Sequence, residues 1–531
     1  LTVSARRHWQ SLSIVLLACV AAAPSLGNRF AYDDQAIIVD NALVHGLSGL
    51  VRAFGASYWP AALGGSLYRP LPIALFTLQW SIGHGAPIVF HLVNLALYAV
   101  VAGLVFGLAR RLLAEPYAWI AAALFAVHPV HVEVVANVVG QSELLVTGIA
   151  VAAMARYLDG RRAVLPLCAL YAVALLTKEH GAVIPALFAA AELTVVDDPR
   201  PWRARLAASR SLAAGLVLTF VGYIGVRVLV LGGAIGESSL IPLVRAPWGT
   251  RWWTTMGIVP QWLRLFLWPS HLAATYAPPE VAVRNGPDAV ALAGLACVVA
   301  LAVVAVLARR RWPVAVFGAL WAAIALLPVS NLLVPSGVLL AERSLFLPSV
   351  GAVLVYGAVL AALARYTRVW PIGALAAGLI VAGLARGARR APVWRDDATL
   401  WAVGAVESPR NYFAHYQYGS ELFREGRADA GELELRIAIA LEPQDPRLYT
   451  SLGWRLVGEN RCDAAAPLFQ QALDRWTVSY EARAGLVTCR MRTGDYAGAR
   501  SLAVASLARG GHRAFFEHAI ASADSARSLA R

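Results

Sequence analysis

Residues 289–311 read AVALAGLACVVALAVVAVLARRR, an unbroken run of apolar and small residues closed by three arginines. A stretch this long with no charge matches the ~30 Å hydrocarbon core of a bilayer, and the arginines mark where it meets headgroups. Similar runs recur upstream and downstream, each of roughly 15–23 residues and each bounded by charged stretches. Of the 531 residues, 59% are hydrophobic and only 15% charged, against about 25% charged in a soluble domain. The chain therefore reads as an all-α, polytopic membrane protein.

Eleven spans are expected: Trp9–Leu26, Ile88–Ala109, Tyr117–Val127, Val138–Ala155, Ala163–Thr177, Gly181–Val196, Leu212–Leu231, Ala289–Ala308, Val314–Ser330, Phe346–Ala364 and Ile372–Ala385. The first follows Arg6 and Arg7 and ends near Ala21-Ala22-Ala23, like a signal peptide. Since further spans follow, a retained helix is expected. Leu71–Ile82, between Pro70 and Gly83, and the tryptophan-rich Trp252–Trp268 are apolar too, but are not counted as spanning.

Charge tests this count. The net charge of +14 would suit a nucleic-acid binder, yet the arginines lie in small clusters between apolar runs. Arg6/Arg7, Arg110/Arg111, Arg156/Arg161/Arg162, Arg200/Arg203/Arg205/Arg210, Arg309/Arg310/Arg311 and Arg365/Arg368 occupy alternate loops. With eleven spans all six share one side, the cytoplasmic side by the positive-inside rule. No nucleic-acid partner is implied, and the odd count puts the C-terminal tail outside.

From about Trp401 the composition becomes that of a soluble helical protein. Gly426-Arg427-Ala428-Asp429-Ala430, Asn460-Arg461-Cys462-Asp463-Ala464 and Gly494-Asp495-Tyr496-Ala497-Gly498 align at a 34-residue period. About three such units resemble tetratricopeptide repeats, an α-solenoid whose concave face binds peptides or proteins. The expected domains are 1–390 in the membrane, 391–410 as linker and 411–531 as repeats. Cys462 and Cys489 in this tail are either a pair in an oxidising compartment or, as expected, two unrelated buried thiols.

Ionisable groups near membrane depth are costly and commonly functional. Asp33-Asp34, the run from His128 to Glu133, Lys178-Glu179-His180 and Glu342-Arg343 all map to the non-cytoplasmic side under the eleven-span count. Lys178 is the one lysine among 46 basic residues. A compact ammonium beside an acid suits a phosphate or carboxylate. His128, His131 and Glu133 have metal-compatible types, but Pro129 breaks the helix between the histidines and a polar helix cap is expected instead. No nucleotide-binding glycine fingerprint opens a helix after a strand.

These motifs in this order resemble the TMTC family of transmembrane O-mannosyltransferases, and more broadly the GT-C superfamily. Tyr32-Asp33-Asp34 looks like the family's first-loop acidic motif, followed by Tyr68-Arg69-Pro70-Leu71 and His91-Leu92-Val93-Asn94. The segments His128 to Glu133, Gly140 to Leu145, Lys178 to Gly181, and Asn331 to Ser349 complete the set. The resemblance implies inverting transfer of a sugar, mannose or another hexose, from a polyprenyl-phosphate donor to a hydroxyl of a protein Ser or Thr. It implies Asp33 as general base with Asp34 orienting it, and Arg343 and Lys178 on the phosphate, held by Glu342 and Glu179. His128, His131 and Glu133 would line the acceptor side, with His180 and Arg69 also in the substrate site. No cofactor is required, although the site types are compatible with a divalent metal. The repeats would recruit the acceptor protein. Ala/Arg-rich composition and an initial Leu suggest a bacterial inner-membrane chain with the site outside the cytoplasm. Transfer to a lipid-linked or envelope glycan, and a membrane-anchored scaffold without catalysis, are the rival expectations. A transporter is disfavoured by the absence of matched broken helices.

Overall fold

A computed structural model describes residues 3–60, 67–233, 243, 246–335, 338–366, 368–509 and 513–529. Among these the architecture is helical, with one isolated β-bridge, Pro279 to Asn411. The chain divides into two compact units, Leu1–Tyr276 with Val281–Leu400, and Ala277–Glu280 with Trp401–Arg531.

Among the described residues of the first unit seven helices are long and apolar enough to cross a membrane: His8–Gly27, Pro87–Leu112, Val138–Leu158, Ala207–Leu231, Ala289–Ala308, Glu342–Leu363 and Val369–Trp394. Tyr117–Ala126 and Pro129–Ala136 make an eighth only as a pair bent by 43°. The expected count of eleven exceeds this because three further apolar runs form short helices: Val164–Thr177, Ile184–Thr194 and Pro313–Leu326. At 1.5 Å per residue, 14 residues reach only about 21 Å. The cause is local. Pro129 follows the break after Tyr117–Ala126 in the bent pair, an extended Lys178 (φ −163°) stops Val164–Thr177, and a 3-10 turn through Pro328 ends Pro313–Leu326. Each truncation delivers a polar motif to a helix end inside the protein.

Leu71–Ile82 lies in the 14-residue helix Pro70–Gly83, and Trp252–Trp268 lies mostly in Trp248–Leu267. Neither meets the length and composition of a span among the described residues.

Close packing uses small residues, since apolar side chains gain little by leaving lipid for protein. Pro313–Leu326 crosses Phe346–Leu363 at Gly318 and Gly351, where a Cβ on either glycine would sit within 2.5 Å of the other's carbonyl oxygen.

Two groups of loops form separate polar clusters. Arg111 pairs with Asp159 at 2.7 Å, and Glu192 takes both Arg162 (2.9 Å) and Arg205. Three of the arginine-bearing loops thus gather together. The acidic and mixed motifs gather elsewhere. The 26-residue helix Pro87–Leu112, about 39 Å long, has His91 beside the Arg29 carbonyl near its start and Arg110 and Arg111 in its last turn.

The second unit repeats a helix pair at 34 residues. Asn411, Asp445 and Ser479 cap the first helices, accepting from the amides of Phe413, Arg447 and Ala482 at 3.1, 2.9 and 3.3 Å. Gly426, Asn460 and Gly494 make the turns at φ 77°, 59° and 81°, the left-handed region that glycine enters freely and asparagine tolerates. The second helices start at Ala428, Cys462 and Tyr496.

Candidate functional site

Every acid and base of the expected site lies at a helix start or in a turn. The loop after the first helix is pinned before it reaches Asp33. The Arg29 amide donates to the Arg395 carbonyl at 2.7 Å, and the Tyr32 amide donates to Asp397 Oδ1 at 2.5 Å. Tyr32 itself sits at φ 59°, unusual for a bulky side chain and a form of strain that surrounding contacts must hold in place.

Asp34 is fully buried and accepts three amides: Ala31 at 3.2 Å, Val138 at 3.1 Å and Val139 at 2.9 Å. It ties the first loop to the turn at Asn137–Gly140. Burial pushes its carboxyl up to about 7, against the pull of the three amides.

Asp33 points the other way, into a charged cluster. Arg343 Nη2 lies 3.2 Å from Asp33 Oδ2, while Nη1 reaches Glu133 Oε1 at 3.0 Å. The Arg343 amide also donates to Glu133 Oε2 at 2.8 Å, and its guanidinium lies 5.5 Å from the Tyr32 ring centre. Glu133 is completely buried, whereas Asp33 and Arg343 keep 14% and 18% of their side chains exposed. Asp33 and Arg343 thus keep some exposed surface where Glu133 has none.

Lys178 Nζ pairs with Glu143 at 2.7 Å, and Glu143 also accepts from His180 Nδ1 at 3.0 Å. Burial lowers the Lys178 ammonium from its usual range; Glu143 opposes this, and the charges of Arg69 and Arg343 add to it. The three cations thus act on one another in one site. Arg69 stacks 4.9 Å from the Tyr58 ring centre and pairs with Glu179 at 2.7 Å; Glu179 also takes Arg227 at 3.2 Å. Against the partial desolvation of Glu179, Arg69 and Arg227 hold its carboxyl down at about 2.

Three expectations need correction. Glu342 does not hold Arg343. It is buried against Tyr276 Oη at 2.8 Å and the Ala273 amide at 2.6 Å, because neighbours in a helical turn project about 100° apart. Glu179 does not hold Lys178, since the extended backbone there sends consecutive side chains to opposite faces. Their places are taken by Glu133 and Glu143. His131 does not line an open acceptor side. It is buried between Tyr98 Oη at 3.0 Å and Ser349 Oγ at 2.9 Å, and His128 bonds the Phe266 carbonyl at 3.0 Å. Among the described residues no three His, Cys, Asp or Glu side chains are grouped as a metal site.

Glu143 and Arg227 are not among the site residues expected from sequence. Glu143 stands in a quoted motif, and Arg227 is an ionisable residue inside an otherwise apolar run. Depth alone marks either position.

Helical spans around a mostly buried set of paired cations and carboxylates define a polytopic membrane protein with a polar site. No family model matches the chain. It is similar to protein O-mannosyl-transferase F38B6.6 of Caenorhabditis elegans, 26% identical over 451 residues, 81% of this chain and 62% of that protein. It is 27% identical over 488 residues to protein O-mannosyl-transferase TMTC4 of Homo sapiens, 80% of this chain and 65% of that one. A 150-residue stretch is 41% identical to protein O-mannosyl-transferase Tmtc2 of Drosophila melanogaster, 26% of this chain and 16% of that one. The chain is TMTC-like, and it spans less than two thirds of the length of these relatives.

Proposed function

We propose that the chain is a glycosyltransferase that moves a hexose from a polyprenyl-phosphate carrier to a Ser or Thr hydroxyl of a protein, outside the cytoplasm and with inversion. The observation that carries this is Arg343 held between fully buried Glu133 and partly exposed Asp33.

Arg343 in that arrangement is a cation already oriented and partly neutralised. A donor phosphate entering beside it displaces Asp33 from the guanidinium. Arg343 then grips phosphate through its planar fork, and Lys178 adds a point charge. Asp33, released, accepts the proton of the acceptor hydroxyl as that oxygen attacks the anomeric carbon. The bond from carbon to phosphate oxygen breaks, and the leaving charge rests on Arg343 and Lys178. Asp34, bonded to three amides, fixes where Asp33 stands. Glu133 and Glu143 keep both cations aimed, and Arg69 with Arg227 extends the positive field beyond Glu179.

The face assignment follows from charge. Three of the arginine-bearing loops meet one another through Asp159 and Glu192, and an arginine excess is the mark of cytoplasmic loops, which supports putting the site on the other face. The relatives named as O-mannosyl-transferases lend mannose and a protein acceptor to the proposal. The tail's 34-residue helix pairs, read as tetratricopeptide repeats, would present that acceptor.

The test is transfer by vesicles holding the purified chain, supplied in parallel with polyprenyl-phosphate-linked mannose, glucose and other hexoses and with Ser/Thr-rich peptides. Labelled peptide from one donor is expected. No label in peptide or lipid from any of these donors would overturn the proposal.

A further inference from the structure

Cys462 opens the helix Cys462–Arg475, and Cys489 lies in the next helix, Tyr480–Arg492. Both are buried free thiols in one apolar cluster, at 6% and 3% exposure, packed with Leu468, Phe469, Leu486 and Ala465. The two thiols thus share one buried cluster across successive helices, and the Cys462 side chain, after burial, helps raise the Cys489 thiol. The other three cysteines sit in apolar helices of the first unit: Cys19, Cys168 and Cys297.

The periodicity makes this contact specific. One repeat earlier, the positions equivalent to Cys462 and Cys489 are Ala428 and Arg455. Only the junction between the second and third helix pairs carries two sulfurs. A buried Cys ordinarily acts as a small hydrophobe, and either site alone would need no other account. Two that share one buried cluster on successive helices of a helix-pair array meet the first requirement of a bridge, nearness in the fold.

We infer that Cys462 and Cys489 form a disulfide that staples the second helix pair of the tail to the third. The inference rests on the proposed face assignment, since such bonds persist in oxidising compartments. The chain reaches Asp397 at the Asp33 end of the first unit, where the Tyr32 amide holds it. Both S–H bonds break and one S–S bond forms. The two protons and two electrons pass to the disulfide of an extracytoplasmic dithiol oxidant, which becomes a dithiol. Once formed, the bond closes a loop across two helices and restricts the unfolded tail. It stiffens one end of the array and leaves the site's chemistry untouched.

The test has two arms on the full-length protein. Reduced, purified protein is treated with oxidised glutathione, denatured without reductant and tagged with a heavy maleimide. Three tags are expected instead of five, with four in Cys462→Ser and four in Cys489→Ser. Five tags on the treated wild type would overturn the inference at the level of geometry. In the second arm cells are quenched in acid and tagged directly. Three tags are expected there too, with a melting temperature several degrees higher before reduction than after it. Bond formation in the first arm with five tags in the second would place the tail in a reducing compartment. That outcome overturns both the staple and the face assignment, while vesicle transfer activity would still stand on its own.

Discussion

Arg343 Nη2 lies 3.2 Å from Asp33 Oδ2, joining the loop after the first helix to the start of a helix three hundred residues later. With Glu133 on its other side at 3.0 Å, the guanidinium is shared between one buried and one accessible carboxylate.

Loss of the guanidinium leaves Glu133 buried without an ion-pair partner, with only the backbone amide of position 343 still donating to it. Breaking a buried pair from one side costs about 3–5 kcal/mol. Arg343→Met is expected to lower the melting temperature in detergent by several degrees. Adding Glu133→Gln to that variant is expected to restore part of the loss. An unchanged melting temperature in Arg343→Met would show that the pair carries no strain of this kind.

Lys178 and Glu143 act as a unit. Lys178→Met is expected to lower kcat about 10²–10³-fold, the range seen for removal of one oriented electrostatic group. Glu143→Gln is expected to lower it less, because the ammonium remains but loses its aim. The check is steady-state transfer at saturating donor.

Asp34 gives the fold a pH signature. Its folded carboxyl titrates at about 7 against an unfolded value of 3.8. Between those values the folded state holds more protons than the unfolded state, so Asp34's contribution to stability falls as pH rises from about 4 to 7 and is level above it. Melting curves from pH 5 to 8 are expected to show this downward slope in wild type and a flatter one in Asp34→Asn. Parallel slopes would remove Asp34 as its source.

The repeat turns differ in one residue. Asn460 adopts φ 59° where Gly426 and Gly494 stand in the other units. Asn460→Gly relieves the left-handed strain but removes the hydrogen bond that Asn460 Oδ1 accepts from Arg492 at 3.1 Å, so a net change below about 1 kcal/mol is expected, while Asp445→Ala, which removes a cap accepting the Arg447 amide at 2.9 Å, is expected to cost about 1 kcal/mol. Urea unfolding of the full chain, followed by tail fluorescence, separates the two.

Much of the fold is legible in the sequence because long apolar runs dominate it. Runs such as 289–308 have no soluble alternative, and seven of the expected spans reappear as long helices. The short ones are overcounted because a run of apolar residues does not announce where proline or an extended residue will end the helix. The charged motifs themselves are legible as ionisable clusters at the ends of apolar runs. Their pairing is not. Glu342 and Glu179 each adjoin a cation in sequence, yet side-chain direction is set by φ and ψ at those residues. Glu133 and Glu143 meet Arg343 and Lys178 across tertiary distance. The thiol pair presents the same difficulty, since 27 residues of separation carry no contact information without the helix-pair register.

The most direct test of the central claim is single-turnover sugar transfer by purified wild type and Asp33→Asn, with donor occupancy matched by a separate binding measurement. With Asp33 as the base, the variant is expected to bind donor within a few-fold of wild type and to transfer at least about 10²–10⁴-fold more slowly. Transfer within a few-fold of wild type at equal occupancy would contradict it.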